Sequence, residues 1–320
     1  MDFISNCTGD AISKAAKALK DGRLVAFPTE TVYGLGADAT NEKAVSQVYA
    51  VKGRPTDHPL IVHISSINQM SKWAIDIPDY AIKLARDFWP GPMTLILKRS
   101  DIAKDFITGG QENVGLRVPS HPLVIALLAE FESLGGQGVA APSANRFGAV
   151  SPTSALAVQE ELGIHLTKND LILDGGRCKI GLESTIIDCT GEIPIILRPG
   201  AVTIEMIKQL TNLIVKQDTL FNLIRTPGML VNHYSPKAQV ILNQNAKAGE
   251  GLIALKNILT PEGAIRLASP RNTDEFAHDL YEALRNGDRQ QLSKIKIIVP
   301  EGDGLVSAIS DRITKAASKA

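Results

Sequence analysis

Short apolar runs of strand length alternate with helix-periodic segments along almost the whole chain, a pattern that constrains it to an α/β fold. Near the start, Asp10 is placed to cap a helix whose apolar face is Ile12, Ala15, Ala16 and Leu19, with Gly22 as its stop. Residues 24–27 follow as a buried strand. Asn41 is placed to cap a second helix carrying Ala44, Val45, Val48 and Tyr49, which ends near Gly53. Further strands are expected at 60–64, 94–97, 114–118, 139–141, 171–173, 185–188 and 195–197. Helices fit at 79–88, after His121-Pro122 and after Ser151-Pro152-Thr153. The expectation is a mixed sheet with helices around it.

The pattern changes after Pro199-Gly200. A helix fits from Thr203 to about residue 213. The stretch up to Pro236 has weak periodicity and holds Thr226-Pro227-Gly228 and His233-Tyr234-Ser235-Pro236, which reads as a linker. Beyond it, strands at 239–242, 252–255 and 295–299 alternate with helices at 274–284 and 305–317, a small Rossmann-like α/β unit. The expected division is therefore 1–200, a linker or lid over 201–236, and 237–320.

Bulk properties exclude several classes. Lys+Arg and Asp+Glu each total 34, so the chain is neutral, which argues against a protein that coats nucleic acid. No apolar run is long enough to span a bilayer, and the first residues carry no basic-then-apolar signal pattern. Cys7, Cys178 and Cys189 are odd in number and lack C-x-x-C spacing, which suggests core thiols in a reducing compartment. A cytoplasmic location is the expectation.

The chemistry lies in two polar segments set beside apolar runs. Lys52-Gly53-Arg54-Pro55 leads into Pro59-Leu60-Ile61-Val62-His63, and Ala141-Pro142-Ser143-Ala144-Asn145 ends another strand. Lys52 and Arg54 on their own read more readily as solvated charges at a helix end than as a binding pair. Beside a strand, an ammonium and a guanidinium make a receptor for oligophosphate. Arg117 sits inside the strand Gly115-Leu116-Arg117-Val118, so it needs an anionic partner, for which a substrate carboxylate would serve. His63 in a strand is more often a core or rim residue than a catalytic one. Ser143 lies in Pro-Ser-Ala and lacks the nucleophile-elbow context.

Gly34-Leu35-Gly36-Ala37-Asp38-Ala39 fits G-x-G-x-x-A on paper, which would suggest a dinucleotide-binding dehydrogenase. The intervening 28–33 loop separates it from the strand, against the tight turn that fingerprint needs. No Walker loop and no metal-ligand spacing is present. His233 and Tyr234 would serve equally as connector residues or as parts of a lid.

Taken in order, the 28–35 segment Pro-Thr-Glu-Thr-Val-Tyr-Gly-Leu, Lys52-Gly53-Arg54-Pro55 with 59–63, Val114-Gly115-Leu116-Arg117-Val118-Pro119, 141–145, Glu183-Ser184-Thr185-Ile186 and Leu197-Arg198-Pro199-Gly200 resemble the YrdC-like threonylcarbamoyl-AMP synthases. His233-Tyr234-Ser235-Pro236 and the extra unit resemble the long, two-domain form. The resemblance implies a YrdC-like mixed, twisted sheet around a large cavity. It implies condensation of L-threonine, bicarbonate and ATP to threonylcarbamoyl-AMP, with release of pyrophosphate and with Mg2+, for the modification of tRNA at position 37. Lys52 and Arg54 would act on the triphosphate; His58, Asn113, Ser143, Asn145, Arg198 and Tyr234 would also contact ATP. Thr31, His63, Arg117 and Ser184 would contact L-threonine. His58 departs from the Asn often found there. A downstream tRNA threonylcarbamoyl transferase complex is the implied partner, and a transient RNA contact is compatible with a basic cavity.

Overall fold

The structure is a computed structural model that describes residues 4–6, 9–217, 227, 234–302 and 304–318. Among these, eleven strands form the larger sheet: β1 (Ile4–Asn6), β2 (Val25–Phe27), β3 (Gly34–Asp38), β4 (Ile61–His63), β5 (Met93–Lys98), β6 (Asn113–Arg117), β7 (Val139–Ala140), β8 (Leu171–Asp174), β9 (Thr185–Asp188), β10 (Ile195–Arg198) and β11 (Lys216–Gln217). Their order is β1-β8-β2-β3-β7-β4-β6-β5-β9-β10-β11, with parallel and antiparallel neighbours mixed. A second sheet holds β12 (Gln239–Leu242), β13 (Gly251–Ile253), β14 (Ile265–Ala268) and β15 (Lys294–Ile297), all parallel, in the order β12-β15-β13-β14.

Ten α-helices are described: α1 (Gly9–Lys20), α2 (Glu42–Lys52), α3 (Met70–Trp73), α4 (Asp79–Phe88), α5 (Asp105–Thr108), α6 (Pro122–Ser133), α7 (Ala155–Leu162), α8 (Ile204–Thr211), α9 (Thr273–Arg289) and α10 (Val306–Ala317). Local chemistry sets their ends. Asn41 accepts a hydrogen bond from the Ala44 amide at the start of α2, and Gly53 closes that helix with a left-handed φ of 62°. Ser154 and Thr203 cap α7 and α8 in the same way. Asp10 does not cap α1; the helix starts one residue earlier, and Asp10 sits in its first turn, where the dipole favours a carboxylate.

Apolar residues cover both faces of the larger sheet. On one, Leu35, Val62, Leu95 and Leu116 pack with Val45 and Val48 of α2 and Leu84 of α4. On the other, Val25, Phe27 and Leu173 meet Ala15 and Leu19 of α1 and Leu127 of α6. In the second unit, Val240, Ile295 and Ile297 pack against Phe276, Leu280 and Leu284 of α9 and Ile309 and Ile313 of α10. That same cluster continues into Val32, Val150, Leu182 and Tyr234, so an apolar core runs across the junction.

Three findings depart from the sequence reading. The segment Gly34-Leu35-Gly36 is strand: β3 pairs antiparallel with β2, so the dinucleotide-loop reading fails. Gly36 is required because a Cβ there would lie 2.5 Å from the Phe27 ring and 2.7 Å from Val139. Residues 204–217 do not stand apart from the larger sheet. α8 packs its Ile207 into the main core, and β11 pairs with β10. Finally, 265–268 is a strand, with every residue only half-buried.

Candidate active site

Sheet register brings the first site residues together. β4 and β6 run parallel with His63 opposite Arg117, so both side chains stand at the same end of adjacent strands. The loop after β2 covers that end. Thr29 organises the loop: its hydroxyl donates to Val32 O (2.7 Å) and accepts from the Thr31 and Val32 amides (3.1 and 3.2 Å). The 141–145 segment after β7, the 183–184 pair before β9 and Arg198 at the end of β10 complete a wall. The resulting cavity opens to solvent. Thr31, Arg54, His63, Arg117, Ser143, Ser184, Arg198 and Tyr234 line it, as do Thr29, Val32, Glu183 and Pro227.

Three guanidinium groups reach this wall, and they differ in how they are satisfied. Arg117 is 5% exposed and pairs with Glu30 at 2.6 Å; it also donates to Thr31 Oγ1 (3.0 Å) and Gly91 O (3.3 Å). The sequence reading offers a substrate carboxylate as the anion Arg117 needs; within the protein Glu30 already supplies one. Burial pushes the Glu30 carboxyl up, but Arg117 and the Ser120 amide outweigh it and hold the group below its ordinary value. Arg198 donates to Ser184 O (3.0 Å), Ser184 Oγ (3.1 Å) and Pro227 O (3.0 Å). Arg54 donates only to the main-chain oxygens of His58 (3.2 Å) and Pro59 (2.9 Å), and its guanidinium carbon lies 5.5 Å from the centre of the Phe147 ring. No carboxylate lies within ion-pair distance of it among the described residues. Burial lowers its pKa to about 10.

Lys52 is 2% exposed and does not line the cavity. Its ammonium donates to the carbonyls of Ser143 and Asn145, tying the end of α2 to the 141–145 segment. The surface-charge reading of Lys52 and Arg54 is therefore excluded. Burial drives the Lys52 pKa well below its ordinary value. Asn145 is buried too; its amide donates to Arg146 O and Ala149 O, while its Oδ1 lacks a partner among the described residues. His58 stands edge-on to Phe147, the ring under Arg54. Asn113 lies at the far end of β6, opposite Lys98. At about 3.3 Å per residue it is some 13 Å from Arg117, and it does not reach the cavity.

His63 is 4% exposed, with Nδ1 unpartnered among the described residues; burial first, and Arg117 second, lower its pKa to about 3. The ring is therefore neutral at ordinary pH. An orphaned buried nitrogen on a cavity wall is a ready contact for a polar ligand. Glu183 is the residue sequence reasoning passed over. Ser151 Oγ (2.6 Å), Tyr281 OH (2.9 Å) and Arg312 Nε (2.8 Å) all donate to its carboxylate. Only its place next to Ser184 could have signalled it. Of the linker motif, His233 lies outside the described residues. Tyr234 is buried, with its ring stacked on Tyr281 at 5.8 Å. Cys178 and Cys189 are buried core thiols, and Cys7 lies outside the described residues.

Comparison with known proteins decides what kind of site this is. The family model for Sua5, YciO and YrdC, described as "Telomere recombination", matches residues 17–200.

The chain belongs to the Sua5/YciO/YrdC family.

A second model, described as the C-terminal domain of threonylcarbamoyl-AMP synthase, matches residues 202–318. The threonylcarbamoyl-AMP synthase of Pyrococcus abyssi is 39% identical, with 94% of this chain and 92% of that protein aligned. That of Bacillus subtilis is 37% identical, over 96% and 92%. The crystal structure of P. abyssi Sua5 complexed with L-threonine matches with a TM-score of 0.89 at 36% identity, covering 99% of this chain and 98% of that one. The likeness to these Sua5 proteins spans both sheets. Among the described residues, no helix is long and apolar enough to cross a membrane.

Proposed function

We propose that this protein is a threonylcarbamoyl-AMP synthase. It condenses L-threonine, bicarbonate and ATP into threonylcarbamoyl-AMP and releases pyrophosphate, supplying the intermediate for tRNA modification. The observation that carries the reading is Arg54: a buried guanidinium on a cavity wall, with main-chain acceptors and an aromatic ring, and among the described residues no carboxylate within ion-pair distance, Asp57 acting on it only from farther away. Burying such a charge is costly unless an anion joins it. The triphosphate of ATP is an anion of the right kind, and a guanidinium fork suits it.

The chemistry needs no protein nucleophile. The threonine amine captures carbon dioxide or bicarbonate to give a carbamate, whose oxygen attacks the α-phosphorus; pyrophosphate departs with the bridging oxygen. Positioning and charge stabilisation therefore carry catalysis. Arg54 and Arg198 face the phosphates and offset the charge gathering on the departing pyrophosphate. Lys52 acts from behind, by fixing the Ser143–Asn145 main chain. Arg117, Thr31 and Ser184 hold the threonine carboxylate and hydroxyl, and neutral His63 offers the amine an acceptor at Nδ1. Tyr234 closes the cavity beside the nucleotide. His58 and Asn145 support this wall from the side, and Asn113 is left out of it.

Magnesium enters as part of the nucleotide substrate. Among the described residues no group of three or more His, Cys, Asp or Glu side chains converges, and Glu183 is occupied by its three donors. Mg²⁺ commonly keeps its waters and binds through substrate phosphates, which suits such a wall. In the same reading Pro227 and Tyr234, both on the cavity wall, close it over the nucleotide, and the product passes to a tRNA threonylcarbamoyl transferase.

The test is direct. Protein, MgATP, L-threonine and bicarbonate are incubated, and products are read by mass spectrometry and pyrophosphate release. Threonine- and bicarbonate-dependent adenylate with equimolar pyrophosphate is the expected result. ATP turnover that ignores threonine, or salt-sensitive RNA binding without turnover, would overturn the reading.

A further inference from the structure

The C-terminal unit reaches the cavity wall through two buried side chains, Arg312 and Tyr281. Arg312, on α10, is 0% exposed, and its three nitrogens have three separate acceptors: Nε donates to Glu183 (2.8 Å), Nη1 to Asp311 (2.6 Å) and Nη2 to Pro199 O (3.0 Å). Its guanidinium carbon lies 5.3 Å from the centre of the Tyr234 ring. Tyr281, on α9, adds a second donor to the same Glu183 oxygen, at 2.9 Å, and stacks on Tyr234. Glu183 and Tyr234 both line the cavity, whereas Arg312 and Tyr281 do not.

We propose that Arg312 is a positioning residue for the nucleotide half of the cavity: it neutralises and orients Glu183, and it supports Tyr234 from behind. This rests on the function proposed above. Glu183 precedes Ser184, whose hydroxyl and carbonyl hold Arg198. Without Arg312, the Glu183 carboxylate loses its only ion-pair partner among the described residues. It then competes for Arg198 and repels the phosphates that Arg54 and Arg198 face. Of the threonine contacts, Thr31 and Arg117 use a different partner, Glu30, and Ser184 keeps its own hydrogen bond to Thr94 Oγ1, so this exchange falls mainly on the nucleotide side. The C-terminal unit thereby acquires a stated task, which is to hold one wall of a cavity formed by the other unit.

The test is a charge-swap cycle on the full chain: wild type, Arg312→Gln, Glu183→Gln and the double variant. Each is checked by thermal unfolding and circular dichroism, then assayed for KM of ATP and of threonine, and for ATP affinity by calorimetry. Arg312→Gln should raise KM for ATP about tenfold or more while KM for threonine stays within about threefold. The double variant, which removes the orphaned charge, should bring the ATP value back to within about threefold of wild type. Arg312→Lys, which keeps the charge, covers the case in which the glutamine variant does not fold, and should retain ATP affinity at a lower Tm. Unchanged ATP affinity in Arg312→Gln would overturn the proposal, as would a folded double variant as weak as the single one. A wild type that binds ATP but makes no adenylate would overturn the function alone, and the calorimetric ranking of the four proteins would still decide the role of Arg312.

Discussion

Arg54 and Arg312 are both guanidinium groups buried in the same molecule, and they are buried for opposite reasons. Arg312, at the junction of the two sheets, has a carboxylate on each side and a carbonyl for its last nitrogen. Arg54, on the cavity wall, has two main-chain oxygens and a ring. The first is a closed account of donors and acceptors, so it serves architecture. The second leaves charge over, so it serves an anion that comes and goes. Arg117 stands between them, paired with Glu30 yet still on the cavity wall. Burial alone does not separate structural from functional cations in this protein; the identity of the partner does.

The contrast is tested most strongly by removing the paired cations. Arg312→Gln should cost about 3–5 kcal/mol of stability, because it leaves the Glu183 carboxylate buried without its cation. Arg117→Gln should cost a similar amount through Glu30, and in addition weaken threonine binding at least tenfold by calorimetry. Chemical denaturation measures both costs. Losses below about 1 kcal/mol would place these pairs among ordinary surface bridges.

Acid should act in the same direction, and through Glu183 alone with a somewhat smaller effect. Burial pushes the Glu183 carboxyl up, but Arg312 and Arg198 more than reverse this and hold it at about 2, against an ordinary value of 4.5. A carboxylate depressed in the folded state contributes stability above its unfolded pKa. That contribution, about 3 kcal/mol, is lost as pH falls from about 4.5 through 2. His63 is held neutral to about pH 3 against an ordinary 6.5, so protonation of the unfolded chain erodes stability from about pH 6.5 downward. Unfolding free energy measured from pH 7 to 3 should fall throughout. Glu183→Gln should flatten the part of the curve below pH 4.5.

A smaller effect is expected where the two units touch through backbone. Gly181 has φ of 82°, and a Cβ there would lie 2.6 Å from Ala277 O and 2.7 Å from the His278 Cα of α9. Gly181→Ala should cost about 1–3 kcal/mol through strain and displacement. Its ATP affinity should drop only if α9 and α10 set the cavity wall.

What the sequence could convey follows the reach of each interaction. Caps and stops are local, so Asn41, Gly53 and Thr203 mark helix ends that the structure reproduces closely. Strand 265–268 escapes notice because Arg266 interrupts it and none of its residues is fully buried. β3 escapes because its glycines, required by the Phe27 ring, read as a loop. In the site, Lys52 and Arg54 stand out through a contiguous motif. Glu183 with Arg312, 129 residues apart, and Glu30 with Arg117, 87 apart, do not, since only the folded sheet brings them together. Arg117 illustrates the limit: its need for an anion is legible in the strand pattern, and the identity of that anion is not.

The central claim is that the charge left over on Arg54 is a binding charge. The most direct measurement is a calorimetric titration of MgATP into wild type and Arg54→Met, each with its unfolding free energy determined in parallel. The account predicts that Arg54→Met binds ATP more weakly by about 1.5–3 kcal/mol, the worth of a charged hydrogen bond, while its stability stays the same or rises. ATP affinity equal to wild type, together with a loss of stability like that of Arg312→Gln, would contradict it and make Arg54 a structural cation.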